Sequence, residues 1–183
     1  MIKIRHATED DKDSIRHLTI EAFSDSPLGY HGEADLVDSL RLSCRHQLAL
    51  VACIDGGVVG HVLFTQAFIH WDNKLSNGMG LAPLSVAPKH QGCGIGSQLV
   101  RCGMKQLYDS GEDFVIVLGH PEYYPQFGFR PGLEFGVRHG FGGIAQSSFF
   151  ISWNPNKPIP QKNLTGRAYY DAEFGLQHAV TTA

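Results

Sequence analysis

The chain has no basic run, no long apolar stretch and no paired cysteines, and each lack closes off a class of function. Its 15 Lys and Arg stand against 18 Asp and Glu, a formal net charge of −3. With no cationic stripe, nucleic acid is not expected as the main partner. No apolar stretch reaches the length that spans a bilayer, so no membrane partner is expected. Met1-Ile2-Lys3-Ile4-Arg5 lacks the apolar centre of a signal peptide. Cys44, Cys53, Cys93 and Cys102 contain no Cys-x-x-Cys pair, which points to reduced thiols and a cytoplasmic setting. Ten histidines are scattered without a His-Glu-x-x-His arrangement, so no metal is expected. What remains is a chain long enough for one domain with a real core, spanning residues 1–183.

Periodicity divides it. Ile2 to His6 reads as a short strand. Thr8 then stands before Glu9-Asp10-Asp11 as a helix cap, and Ile15, Leu18 and Ala22 follow at helical spacing. A loop from Ser24 to Gly32 leads to a second helix, Glu33 to Arg41, with Leu36, Val37 and Leu40 on one face. Leu48 to Ile54 and Val58 to Phe68 read as strands joined at Asp55-Gly56-Gly57. Asp72-Asn73-Lys74 and Asn77-Gly78 mark a longer turn before a strand from Met79 to Val86. From Ser97 to Asp109 the pattern is amphipathic, with Ile95, Leu99, Gly103 and Leu107 in one stack. Phe114 to Leu118 is a buried-type strand. Strand, crossover helix and strand make a βαβ unit, so the two strands should run parallel. Beyond Arg130 the pattern is less regular, with a strand from Ser148 to Trp153 and a loop over Asn154 to Pro160.

Between the Met79–Val86 strand and the helix stands Gln91-Gly92-Cys93-Gly94-Ile95-Gly96. A glycine loop that opens a helix is an anion cradle. The first helical amides have no partner in the helix, they point at the loop, and the helix dipole adds attraction. The spacing excludes two common cradles. No Lys follows Gly96, as a P-loop requires, and Leu99 stands where a dinucleotide fingerprint needs its third glycine. No acid ends the Phe114–Leu118 strand to meet a ribose. A nucleotide site is therefore disfavoured.

The arrangement Gln-x-x-Gly-x-Gly resembles the pyrophosphate-binding motif of the GNAT N-acetyltransferase superfamily. A second segment, Gly119-His120-Pro121-Glu122-Tyr123-Tyr124-Pro125-Gln126-Phe127-Gly128-Phe129, looks like the YhbS-like branch of predicted acetyltransferases, as does Gly166-Arg167-Ala168-Tyr169-Tyr170. The resemblance implies an α/β (α+β) GNAT fold, a mixed central sheet flanked by helices in the order β-α-α-β-β-β-α-β-α-β-β. It implies acetyl-CoA as co-substrate. The diphosphate would be held by Gln91, Gly92, Cys93, Gly94, Ile95, Gly96 and Ser97, and the pantetheine arm by Leu84, Ser85 and Val86. His120 stands where many members carry Asn, and Tyr124 stands four residues before the Gly-Phe pair, where the family places a general acid near the CoA sulfur.

Read as chemistry, transfer from a thioester to an amine by direct attack needs a held donor, a polarised carbonyl, an acceptor that loses its proton and a protonated leaving thiolate. A backbone N–H near Val86 is the oxyanion donor. Tyr124 protonates the thiolate. Glu33, at the start of the second helix, is the first candidate for the base that takes the amine proton through water, and His61 the second. Cys93 lies in the diphosphate loop, away from the thioester, and reads as a small tolerated residue. The acceptor is an amine of a small molecule or peptide, and the chain a monomer or homodimer. The alternative is an acyl-CoA-binding domain of the same fold that senses without turnover.

Overall fold

The computed structural model describes residues 1–24, 30–44, 47–72, 74–141, 144–159 and 164–170. The chain divides into two compact units, Met1–Phe64 with Ala82–Gly103, and Thr65–Leu81 with Met104–Ala183. Two long strands and one helix pass from one unit into the other.

The first unit contains β1 (Lys3–His6), α1 (Lys12–Ser24), α2 (Glu33–Ser43), β2 (Gln47–Ile54), the start of β3 (Gly57–Trp71), the end of β4 (Lys74–Val86) and the start of α3 (Ile95–Asp109). Its strand order is β1-β2-β3-β4. β1 lies antiparallel to β2 with Ile4 opposite Ala52. The Asp55-Gly56 turn has φ of 48° and 84°, and two positive φ values in a two-residue loop match the right-handed twist of the strands it joins. Ile15, Leu18 and Ala22 of α1 and Leu36, Val37 and Leu40 of α2 are buried, as their spacing predicts. Arg16 links the two helices, donating to Asp35 and Asp38 at 2.6 Å each. These pairs are exposed to solvent and contribute little to stability.

Thr8 caps the entry to α1, as its place before the acids predicts. A 3-10 turn, Glu9–Asp11, precedes the helix, with Thr8 as its N-cap and Asp11 completing a capping box. The Asp11 carboxylate accepts from the Thr8 N–H at 2.8 Å and the Thr8 hydroxyl at 3.0 Å. Arg5 donates to both of its oxygens, at 2.6 and 2.8 Å. The Arg5 guanidinium holds the Asp11 carboxyl well below the usual carboxylate range. A buried acid at this point is tolerable because both of its oxygens accept hydrogen bonds and its charge is paired with Arg5.

The second unit contains the remainder of β3, β4 and α3, then β5 (Phe114–Leu118), a 3-10 turn (Tyr124–Phe127), β6 (Arg130–Pro131), β7 (Val137–His139), β8 (Phe149–Trp153) and β9 (Gly166–Tyr170). Its strand order is β9-β3-β4-β5-β8-β6, with β7 beside β9. β4 and β5 are parallel, as the βαβ reading requires, with Met79 opposite Val115 and Leu81 opposite Val117. β5 pairs antiparallel with β8 along all of Phe114–Leu118. Trp153 packs edge-on against Phe114 and Phe135, with ring centres 5.4 and 5.9 Å apart, and stacks on Trp71. The buried Asn154 side chain donates to the carbonyls of Tyr108 and Glu112 at 3.1 and 2.8 Å. The loop after β8 is thereby tied to the end of α3.

Two segments depart from the sequence reading. The turn expected between Ile69 and Gly78 is shorter, because β3 runs to Trp71 and β4 begins at Lys74. Asn77-Gly78 lies inside β4, and the Trp71 indole donates to the Ser76 hydroxyl at 3.0 Å. After β5 a single 3-10 turn stands in place of the expected helix, and four strands follow where two were expected. Pro125 opens that turn, and Gly128, at φ 85°, closes it after one turn by donating to the Pro125 carbonyl. The loop assigned to Ser24–Gly32 falls largely on residues 25–29, outside the described residues.

His61 is fully buried in β3, and neither ring nitrogen has a hydrogen-bond partner among the described residues. Burial first, then the Arg41 guanidinium, lowers it from 6.5 to about 3, with Asp11 opposing. The imidazole is neutral and sealed from solvent, which removes it as a base for an incoming amine. Its folded value lies below its unfolded one. The stability it contributes is therefore complete above the unfolded value of 6.5 and is lost as pH falls toward about 3. Between about pH 6.5 and 5 the loss is about 2 kcal/mol. Urea titrations at about pH 7 and 5 should show His61→Leu losing about 2 kcal/mol less than the parent chain on acidification. Equal losses would show that His61 does not titrate on unfolding.

Candidate functional site

The expected site residues fall into both units. In the first, β4 ends at Val86, a 3-10 turn spans Pro88–His90, and the loop rises into α3. Gly92 and Gly94 adopt φ of 72° and 78°, values that cost an L-residue about 1–2 kcal/mol. A Cβ at either position would meet nothing within 4 Å. The glycines are thus required by backbone conformation, and the space above the loop is open. Gln91, Gly92, Cys93 and Gly94 are exposed, whereas Ile95 is buried and anchors the first turn of α3. The Gln98 N–H donates to the Gly94 carbonyl at 3.0 Å. The amides of Ile95, Gly96 and Ser97 precede that bond and lie outside the helical ladder. This row of donors at the positive end of a 15-residue helix is suited to an anion with several oxygens, and the open loop has room for a diphosphate.

Gln91 is exposed at the start of the loop. Its amide donates to the Val86 carbonyl at 3.0 Å and braces the loop on the end of β4. Along this stretch Pro83 and Ser85 are buried, while Leu84 and Val86 are half-buried. The Ser85 hydroxyl points into the core, 3.4 Å from that of Thr19. Ser85 therefore offers only its backbone to a ligand. The Ala87 N–H donates to the Val59 carbonyl at 3.0 Å, and the alternation of a strand turns the Val86 N–H toward the opposite edge. Glu33 opens α2, and its carboxylate accepts from the His31 N–H at 2.8 Å.

In the second unit, the β4–β5 ladder ends at Leu81 and Val117. Tyr124 is buried in a ring cluster with Tyr123, Phe127 and Phe129 at 5.2, 6.5 and 5.6 Å. Gly119 makes this possible, since a Cβ there would lie 2.2 Å from the Tyr124 ring. The Tyr123 N–H donates to the His120 carbonyl at 3.1 Å, so His120 supports the turn through its backbone while its side chain is exposed. Burial first, then Tyr123, pushes the Tyr124 hydroxyl well above the ordinary tyrosine value. It is protonated at neutral pH and able to donate. Phe129 is buried in the core and Phe127 is half-buried. Among the described residues no group of three His, Cys, Asp or Glu could hold a metal.

One neighbour was missed. Tyr170 of β9 packs on Gly80, where a Cβ would lie 2.3 Å from its ring. The available signal was an isolated glycine within a strand, which marks a close approach.

The comparisons agree with this geometry. The acetyltransferase (GNAT) domain model matches residues 3–132, well over half of the chain, and the protein belongs to that family. It is 42% identical over 129 residues to YjhQ of Escherichia coli K12, described as an uncharacterized N-acetyltransferase, across 69% of this chain and 68% of that protein. It is 36% identical over 143 residues to YhbS of the same organism, described in the same words, across 78% and 83%. Among solved structures it is similar to Escherichia coli YhbS in complex with CoA, with a TM-score of 0.80, 30% identity and coverage of 94% and 91%. It is also similar to a GNAT acetyltransferase of Brucella melitensis in complex with acetyl-CoA, with a TM-score of 0.76, 31% identity and coverage of 95% and 98%.

The cradle analysis yields a direct test. Gly94→Asp puts a carboxylate among the α3 amides and strains the loop. Titration calorimetry should show CoA binding weakened by about a hundredfold or more, with the melting temperature lowered by only about 2–8 °C. Undiminished binding would mean that the loop does not hold the diphosphate.

Proposed function

We propose that the protein transfers the acetyl group of acetyl-CoA to an amine of a small molecule or peptide, by direct attack when both are bound. The observation that carries this reading is the loop held open by Gly92 and Gly94 beneath the first amides of α3. The CoA and acetyl-CoA complexes of the two structural relatives support it. The amides of Ile95, Gly96 and Ser97, with the Gly92–Gly94 backbone, hold the diphosphate. Leu84 and Val86 line the pantetheine arm, with Ser85 contributing its backbone. The Val86 N–H donates to the thioester oxygen as it gains charge, an interaction worth about 3–4 kcal/mol when the donor is preorganised.

An alkyl ammonium titrates near pH ~10.4, so the acceptor must lose a proton before attack. Glu33 is the group we assign to receive it through water. Tyr124 gives its proton to the leaving thiolate and is reprotonated by the second proton that the nitrogen sheds as the tetrahedral adduct collapses, while the first, taken up by Glu33 through water, passes to solvent. The four cysteines are free thiols, which favours a reducing compartment such as the cytoplasm. No helix of the described residues is long and apolar enough to cross a membrane.

Tyr124→Phe keeps the ring cluster and removes the donor. Steady-state kinetics should show kcat reduced by about a hundredfold with KM for acetyl-CoA changed less than about twofold. Unchanged turnover would remove Tyr124 as the acid.

A further inference from the structure

One face of the second unit's sheet collects positive charge. Arg138 of β7 stands opposite Arg167 of β9, and Arg167 stands opposite His70 of β3. Residues opposite one another in a ladder share a face, and neighbouring strands lie about 4.8 Å apart. The three side chains therefore form one row across three strands, and all three are exposed. The next row on that face holds Tyr169 of β9, opposite Phe68 of β3. The Tyr169 ring meets His70 edge-on, with ring centres 5.2 Å apart. It also leans over Gly140, where a Cβ would lie 3.0 Å from it. Tyr169 remains 40% exposed.

Four other arginines, Arg5, Arg16, Arg41 and Arg130, each donate to an acid. Arg138 and Arg167 have no acidic partner among the described residues. Asp72, the acid closest to the row along the chain, lies past the end of β3 at Trp71 and pairs with neither. Like charges side by side repel, and no packing demand explains them, because both side chains are exposed. The whole chain carries a net charge of −3. An anionic partner is thus repelled by the molecule at large and drawn to this face, which fixes its approach. No basic run in the sequence forecasts the patch. Its members are far apart in the chain, and only the pairing of β9 with β3 and β7 joins them.

We propose that the exposed face of β7, β9 and the end of β3 docks an acidic peptide segment of a partner protein, with carboxylates at alternate positions of the segment on Arg138 and Arg167 and a neighbouring side chain on Tyr169. Same-side residues of an extended peptide lie about 6.6 Å apart, a spacing that two long side chains on adjacent strands span. The guanidinium fork matches a carboxylate in two hydrogen bonds, and Arg and Tyr are residue types enriched at protein interfaces. The size of the patch favours a peptide over larger polyanions. Duplex binders often neutralise about 6–10 phosphates, and anionic membranes are met by clusters of about 4–8 Lys or Arg. This row offers two arginines. Docking here is separate from acetyl transfer and does not rest on it.

The probe is a rhodamine-labelled peptide, Glu-Ser-Glu-Tyr-Glu-Ser-Glu, titrated with the full chain in low salt and followed by fluorescence anisotropy. Binding should saturate, weaken as salt is added, and be lost when Gln replaces each Glu of the peptide. Arg138→Gln and Arg167→Gln should each weaken it by about fivefold, and Tyr169→Ala should weaken it as well. Lys12→Gln removes the same charge from an exposed site in the first unit and should leave binding unchanged. Melting curves check that each variant is folded. No binding of the peptide, or binding that neither arginine substitution weakens, would overturn the docking surface. An equal loss in Lys12→Gln would overturn it too, because bulk charge would then account for the attraction. Tighter arginine-dependent binding of a single-stranded oligonucleotide or of phosphatidylserine vesicles, run alongside, would overturn the peptide as the occupant.

Discussion

Everything assigned to this chain depends on keeping a few backbone amides at the start of α3 unpaired and outward-facing. That is an expensive arrangement. Peptide N–H groups are obligatory donors, and burying them without partners costs free energy comparable to a lost hydrogen bond. The chain manages it by exposing the loop while burying its two ends. Ile95 and Leu99 are sealed in the core, and the Gln91 side chain is fastened to the Val86 carbonyl. Between these anchors Gly92 and Gly94 carry the left-handed backbone that aims the amides outward. The same Gln91 bond occupies the Val86 carbonyl, while the Val86 N–H faces away from β3. A single brace thus serves both the diphosphate cradle and the strand end assigned to the thioester.

The proton chemistry rests on the opposite device, deep burial. Tyr124 and Tyr170 both sit in apolar surroundings that keep their hydroxyls protonated far above neutral pH. A tyrosine in water would be an adequate donor, but a buried one is a donor whose conjugate base needs support. Two glycines make room for these rings: Gly119 gives way to that of Tyr124 and Gly80 to that of Tyr170. His61 shows the contrast. It is just as buried, and burial lowers its value so far that the imidazole stays neutral and takes no part in proton transfer near neutral pH.

Much of this was legible in the sequence, and the boundary is instructive. The glycine loop, α3 and β5 could be read because their signals are local: left-handed glycines, a clean apolar stack and a run of β-branched residues. The parallel pairing of β4 with β5 followed from connectivity alone. The closing strands were not legible. β9 pairs with β3, about a hundred residues earlier in the chain, and β6 is only two residues long. Such strands exist through their partners rather than through their own pattern. The cap at Thr8 was legible, but the pairing of Asp11 with Arg5 was not, because it depends on a contact between β1 and the turn before α1. The side chain of Ser85 points into the core, as strand alternation requires. Tyr170 was visible as a word in a familiar phrase, but its place on Gly80 depends on the same long-range pairing.

The most direct measurement is the release of free CoA thiol from acetyl-CoA in the presence of amines, with a panel of polyamines, aminoglycosides, amino acids and short peptides. The account predicts release that depends on an amine and saturates with it, with one acetylated amine formed per thiol. Acetyl-CoA that binds tightly yet releases no thiol with any amine of a panel broadened to exhaustion would contradict it, and would leave a domain that binds the thioester without turning it over.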